Sequence, residues 1–505
     1  MTMDVKGPHR PRKADGPKMA RASRPAALAF DLGSSSVRGI LGIFDGQRIT
    51  TREVLRVNHE ACKMNGHLVW DIGRIMSAIH EGFDCATEML GRPPVSIGVD
   101  TWGVDYGLID HSGHLLRPPR AYRDTRMSKY AAEVDRRLPR RTAWESTGIQ
   151  PQEINTTYQI FADLAEQPQL RQAVATVLPM PDLVAYLLGA PPAVGRAIGS
   201  STGFAVPSAS QWSTPVLEAL DIPREWLPDL VPESTIAGTT VHGSPIIHCG
   251  GHDTACAVHA LGLGKNDVRL FLSCGSWSLM GATIPKPLVT DEAHDAGLTN
   301  EVRTDGGIRI LRNLTGLWLL QECQRYWNET AITKLLAEAQ NSSSLGVIID
   351  PDDEAFVRPG GMPLKISKWC DEHYGVKPRD RAQMVRLIVE SLACAHADVV
   401  NCLGRVVGSQ LDSTDPIMAM GGGIQNGMLM AATASACRRP VITTATEASC
   451  LGNLLCQFET ADFIKPSDRT NVVAASIEQK VIEPGDPAPF DAMREKLREV
   501  LPVQQ

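Results

Sequence analysis

Two stretches of the chain share one grammar, and together they leave few folds open. Ala27 to Phe44, ALAFDLGSSSVRGILGIF, runs from an apolar strand through a glycine-serine turn into a second apolar strand, and Leu270 to Ile284, LFLSCGSWSLMGATI, repeats the pattern. Gly33 and Gly275 stand 242 residues apart, close to half of the 505-residue chain. A turn this small and polar is either an ordinary hairpin connection or a place where backbone N–H groups meet a ligand. The repeat predicts two halves, each presenting its hairpin to a common cleft.

From Ala26 onward, strand and helix patterns alternate, which indicates an α/β protein. VSIGVDTWGVDYGLID (Val95 to Asp110) holds two short strands around Asp100 to Asp105, while Asp71 to Leu90, Pro151 to Gln167 and Met384 to Val407 carry helical spacing. PIIHCGGHDTACAVHALGLG (Pro245 to Gly264) reads as a strand entering Gly250 and Gly251, then His252, Asp253 and Thr254, then a helix. Glycines there allow a ligand to approach the backbone and the helix start offers free N–H groups; the plainer reading makes Asp253 or Thr254 a helix cap. MAMGGGIQNGMLM (Met418 to Met430) reads as strand, three glycines and helix. No GxxxxGK[ST] loop occurs, and neither hairpin turn carries GxGxxG.

A net charge of -7 argues against a nucleic-acid-coating surface. No uninterrupted apolar run approaches the roughly 18 to 20 residues of a membrane helix, so no membrane partner is expected and a small molecule is. The 12 cysteines form no CxxC pair and no zinc-spaced cluster; they read as reduced thiols of a cytoplasmic protein. Residues 1–24, basic and proline-rich, read as a disordered tail.

Turns of this kind suit phosphoryl transfer, which needs donors around phosphate oxygens, a metal to neutralise them and a base to orient the attacking hydroxyl. The hydroxyls of Ser34, Ser35, Ser36 and Ser276 add to the backbone donors, and Asp31 at a strand end is placed to hold Mg²⁺.

From about Ala26 to its end the chain resembles the FGGY carbohydrate kinases, within them the branch that phosphorylates L-rhamnulose. The resemblance rests on DLGSSS (Asp31 to Ser36), DTWGVDYGLID (Asp100 to Asp110), YRD (Tyr122 to Asp124), NTTYQI (Asn155 to Ile160), GHDTA (Gly251 to Ala255), SWSLMG (Ser276 to Gly281), RNLTGLWLLQE (Arg312 to Glu322) and GGGIQN (Gly421 to Asn426), in the family's order. It implies two ribonuclease H-like domains of the actin and hexokinase ATPase type flanking a central cleft, over 25–247 and 248–505. It also implies ATP as co-substrate with Mg²⁺, and transfer to the primary hydroxyl of a ketose, giving L-rhamnulose 1-phosphate. L-fuculose or another ketose is the sister reading, and a non-catalytic sugar sensor the alternative from another class. The oligomeric state stays open.

By the same resemblance Ser34, Ser35, Ser36, Val37 and Arg38 line the ATP phosphates, with Ser276, Gln321 and Gly422 also on the nucleotide. Gly103, His252, Asp253, Thr254 and Asn313 meet the sugar, Asp253 acts as the base, and Asp31 serves the metal. Trp102, Trp277 and Trp318 are expected to pack rather than stack on ligand. Three departures stand out: Val37 replaces a glycine, Ser276 replaces a threonine, and TTATEASC (Thr443 to Cys450) keeps Glu447 but lacks the Gly-Pro before it.

Overall fold

The computed structural model describes residues 24–501; the expected tail lies, but for Arg24, outside them. In the first half, β1 (Ala26–Leu32), β2 (Ser36–Phe44), β3 (Ile49–Asn58), β4 (Ile97–Thr101), β5 (Thr235–Thr239) and β6 (Pro245–His248) form one sheet in the order β3-β2-β1-β4-β6-β5. In the second half, β7 (Leu270–Cys274), β8 (Trp277–Ile284), β9 (Thr299–Val302), β10 (Ile308–Thr315), β11 (Ile417–Met420), β12 (Val441–Thr443) and β13 (Lys480–Ile482) run β9-β10-β8-β7-β11-β12-β13.

Six strands of the second sheet repeat the first in order and direction, and β9 is added at its edge. β1 is antiparallel to β2 and parallel to β4, and β7 is antiparallel to β8 and parallel to β11. The next strand outward on one side is antiparallel (β3, β10), and on the other parallel (β6, β12) and then antiparallel (β5, β13). The two hairpins of the sequence therefore occupy the same place in each half.

β1 is buried on both faces, and its alternation assigns them. Leu28, Phe30 and Leu32 join Ile75, Ile79 and Phe83 of α1 (Ile72–Leu90), a helix capped by the Asp71 side chain and ended by Gly91 at φ +68°. Ala27 and Ala29 face the other way, toward Leu454, Leu455 and Phe458. The expected helix over Pro151 to Gln167 begins later, as α2 (Thr156–Glu166), because Asn155 is its extended N-cap residue. After β6 the chain enters α3 (Asp253–His259).

α4 (Arg381–Val407) starts three residues before the pattern predicted, at the Asp380 cap. It is long and apolar enough to cross a membrane, yet 72% of its most apolar window is buried inside the protein, against the helices Gly427–Cys437 and Ile332–Asn341. It is the core helix of the second half.

α5 (Ala448–Thr460) belongs to the second half by sequence but lies on β1 and β4 of the first and crosses α3. The sheet admits it because its face is made of small residues. A Cβ on Gly42 would stand 2.7 Å from Leu454, and one on Gly98 2.2 Å from Asn453 Oδ1. Polar groups fix the contact: Asn453 Nδ2 donates to Asp100 Oδ2 at 2.6 Å, and Gln457 Nε2 donates to the Leu28 carbonyl at 3.1 Å.

At the far end of the crossing, Glu459 of α5 meets His259 of α3 at 3.0 Å and the Arg469 guanidinium. Burial opposes the Glu459 charge, but the His259 hydrogen bond and charge, with Arg469, outweigh it and hold its pKa at about 2, below the ordinary 4.5. A lowered carboxylate pKa gives stability that is fully present above the unfolded value and drains as pH falls through the folded one. The expected result is an acid limb in the stability profile between about pH 4.5 and 2 that Glu459→Gln flattens. Chemical denaturation across that range, with an unchanged limb in the variant, would count against the assignment.

Candidate active site

The first turn is built as its sequence suggests. Gly33 N–H donates to the Ser36 carbonyl at 2.9 Å, and His59 holds the loop from outside, its N–H on the Ser35 carbonyl at 3.0 Å and its Nε2 2.8 Å from the Gly33 carbonyl. Ser34 and Ser36 are half-buried and Ser35 is exposed. The Val37 side chain enters the core beside Leu41, and its φ is not left-handed, so replacing glycine there costs the turn nothing. Only the Val37 backbone remains for a ligand.

Asp31 and Arg38 are cross-strand partners in β1 and β2, and Arg38 donates to Asp31 Oδ2 at 2.6 Å. Arg38 also pairs with Glu447, just ahead of α5, and Arg56 donates to the same carboxylate at 3.3 Å. Asp31 Oδ1 is buried and, among the described residues, has no hydrogen-bond partner. Burial raises the Asp31 pKa to about 6 against the pull of Arg38, and the charge of Asp253 pushes the same way. Asp100, beside Asp31 in the parallel register, is pushed well up by burial and then by the Asp31 charge. Asp31, Glu447 and Cys450 offer ligand atoms within 4.8 Å of one another. A hard cation such as Mg²⁺ fits the two carboxylates and the orphaned Asp31 oxygen, but not the thiol, which burial keeps protonated.

The Gly250–Gly251 junction carries the third element. The cap of α3 is His252, whose Nδ1 accepts the Thr254 N–H at 3.2 Å, rather than Asp253 or Thr254. Burial and then the Arg309 charge lower the His252 pKa, so the ring is neutral and its proton sits on Nε2. Asp253 is the first helical residue. Its Oδ1 accepts from the N–H and hydroxyl of Thr254, and among the described residues its other oxygen has no hydrogen bond. Its side chain is 36% exposed. Gly103 lies against the His252 ring, where a Cβ would come within 2.8 Å of Nε2, and Thr101 N–H donates to the Gly251 carbonyl at 2.8 Å. Gly103, His252, Asp253 and Thr254 thus form one wall.

The second hairpin brings another group together. Ser276 Oγ donates to Gln321 Oε1 at 2.9 Å. The three-glycine turn packs on the end of β7, since a Cβ on Gly421 would meet the Cys274 carbonyl at 2.8 Å and one on Gly423 the Cys274 sulfur at 2.3 Å. Gly422 between them is exposed with open space around it. Asn313 is exposed on β10 opposite Leu279. Among the described residues no hydrogen bond or ion pair links Ser276, Gln321 or Asn313 to the first-half group. Trp102 is buried and Trp318 half-buried, with its Nε1 3.3 Å from the Phe356 carbonyl. Trp277 departs from the packing expected of it: 51% exposed, it stands beside Ser276 at the start of β8.

Sequence reasoning passed over Arg56 and did not use Glu447 for the site. Nothing local marks either one; they meet because α5 returns to the first sheet.

Comparison with known proteins agrees with the two-fold architecture. Residues 26–258 match the N-terminal domain, and residues 270–461 the C-terminal domain, of the FGGY family of carbohydrate kinases. A curated rhamnulokinase of Bacteroides thetaiotaomicron is 31% identical over 476 residues, covering 92% of this chain and 97% of that protein. Among solved structures, xylulose kinase from Lactobacillus acidophilus superposes with a TM-score of 0.76 at 13% identity, over 94% of this chain and 97% of that one. Plasmodium falciparum glycerol kinase with ADP gives a TM-score of 0.76 at 15% identity over the same shares, 94% and 97%. Two family domains that together span most of the chain leave one conclusion: this protein belongs to the FGGY family of carbohydrate kinases, ATP-dependent phosphotransferases with the actin and hexokinase type of fold.

Proposed function

We propose that the protein transfers the γ-phosphoryl group of ATP to the primary hydroxyl of a ketose, L-rhamnulose giving L-rhamnulose 1-phosphate, in the cytoplasm, with lobes divided at 247/248. The observation that carries this reading is the Asp253 carboxylate. One of its oxygens is engaged by Thr254, the other has no hydrogen bond among the described residues, and the carboxylate follows His252, whose ring abuts Gly103, in electrostatic reach of Asp31. The similarity to a rhamnulokinase supports the choice of sugar. The twelve thiols, none of them in a disulfide, support the compartment.

In this mechanism Gly103, His252, Thr254 and Asn313 orient the ketose. Asp253 accepts the hydroxyl proton as the oxygen bonds to phosphorus and ADP departs. Ser34, Ser35, Ser36, the Val37 backbone and Arg38 surround the phosphates from the first hairpin, while Ser276, Gln321 and Gly422 hold the nucleotide from the second. Mg²⁺, when bound with ATP, neutralises the phosphate charge, and Asp31 is the residue that would hold it. The purified chain with Mg·ATP is expected to release ADP fastest with L-rhamnulose in a panel containing L-fuculose and other ketoses. ADP release that no ketose stimulates would remove the kinase reading; a different preferred ketose would remove only the choice of sugar.

A further inference from the structure

We propose that Asp105 and Gln159 are positioning residues of the acceptor site, holding Val104 in a strained turn that presents the Gly103 and Val104 N–H groups to the sugar. The proposal rests on the kinase reading for the identity of the ligand.

Val104 has φ +69°, a region that β-branched residues avoid because Cβ crowds the carbonyl. The Asp105 N–H donates to the Gly103 carbonyl at 2.9 Å, closing a three-residue turn of positive φ, which is rare and strained. Strain of this kind persists only where the surroundings over-determine it, and it concentrates at ligand sites.

The surroundings here do so. The Val104 carbonyl accepts Thr156 Oγ1 at 2.7 Å and Gln159 Nε2 at 3.2 Å, both from the first turns of α2. Gln159 Nε2 also donates to Asp105 Oδ1 at 3.0 Å. The indole N–H groups of Trp70 and Trp102 donate to Asp105 Oδ2 at 2.7 and 2.8 Å, and Met180 N–H donates to the Asp105 carbonyl at 3.1 Å. Burial raises the Asp105 pKa to about 6, against the hydrogen bonds of Trp70, Trp102 and Gln159, so at neutral pH a carboxylate fills this cage.

The turn faces the right place. Gly103 and Val104 are only half-buried, Gly103 abuts the His252 ring, and among the described residues neither of their N–H groups has a protein acceptor. The cage also reaches the phosphate turn. Trp70 and Trp102 lie 4.3 Å apart, and His59, which grips the Gly33 and Ser35 carbonyls, packs on Trp70 at 5.5 Å. One rigid block therefore sets both the acceptor wall and the phosphate turn, and small misplacements of reacting groups are costly.

Gln159→Leu removes, at similar volume, the side-chain N–H bonds to Val104, Asp105 and Ile154 and the oxygen that accepts from Arg126, and Val104→Gly removes the strain. Gln159→Leu is expected to raise the KM for the ketose about tenfold or more, with the KM for ATP within about twofold. Val104→Gly is expected to raise the ketose KM likewise without lowering the melting temperature, because glycine accepts this φ. Gln159→Leu should also cost less thermal stability in the Val104→Gly background than alone. Folded variants with parental ketose KM, or equal costs of Gln159→Leu in both backgrounds, would overturn the proposal. Unfolding needs no sugar, so the double-mutant cycle tests the cage even if no ketose is phosphorylated; failure of the kinase reading and failure of the cage are separate results.

Discussion

Asp253→Asn is expected to yield a folded protein whose turnover is lower by at least about 10². A sugar hydroxyl is a poor nucleophile at neutral pH, and the proposed mechanism asks one carboxylate to orient it and take its proton. Asparagine keeps an oxygen for the Thr254 N–H and hydroxyl, and the cap of α3 is His252, so the helix start survives. Ketose binding should stay within about tenfold, a shift of about 1.4 kcal/mol. Were Asp253 only part of the helix start, turnover would be nearly normal. A purified, folded variant with more than half the parent rate would sink the mechanism.

Gly452→Ala is the substitution expected to cost the most stability. A Cβ at Gly452 would stand 1.7 Å from the Cys256 carbonyl oxygen, 2.6 Å from its carbon and 3.0 Å from the Ala260 nitrogen. These are backbone atoms of α3, its end included, and cannot rotate aside as a flexible side chain could. The two helices must separate, and α5 is held on the other side by Ala27, Ala29, Gly42 and Gly98 of the first sheet. Overpacking of this kind costs about 3 kcal/mol, and with it a melting temperature lower by several degrees. α3 begins with Asp253, so the surviving folded fraction should also turn over more slowly. A melting temperature within about 1 °C of the parent would mean that the crossing is looser than its geometry indicates.

Much of the fold was legible because it is local. A strand, a two- or three-residue turn and a returning strand are fixed by alternation and by backbone bonds a few residues apart. Both hairpins, the strand-glycine-helix junction at Gly250 and the strand before Gly421 stand where the pattern placed them. The helical spacing over Asp71 to Leu90 was equally plain, and the helix runs Ile72–Leu90 between the Asp71 cap and Gly91. The family followed from ordered motifs, each weak alone. The plainer reading put the cap on Asp253 or Thr254, because the local pattern offers three neighbouring polar residues, and the folded backbone puts it on His252. Trp277 was expected to pack, but its place at the start of β8, just after the turn, leaves it half exposed beside Ser276.

What the chain determined by itself was therefore its list of elements, its internal repeat and its family. The tertiary structure alone decided which distant groups share a surface. Arg38 and Glu447, 409 residues apart, meet only because α5 lies on the first sheet, and α5 lies there because four small residues flatten that face. Asp105 became the centre of a cage only when Trp70, Trp102 and Gln159 converged on it. An alanine, a glycine or a buried carboxylate carries no local preference for a partner hundreds of residues away. Its energy is set by the packing and desolvation of the assembled protein, and so the site's supports appear only once the chain is folded.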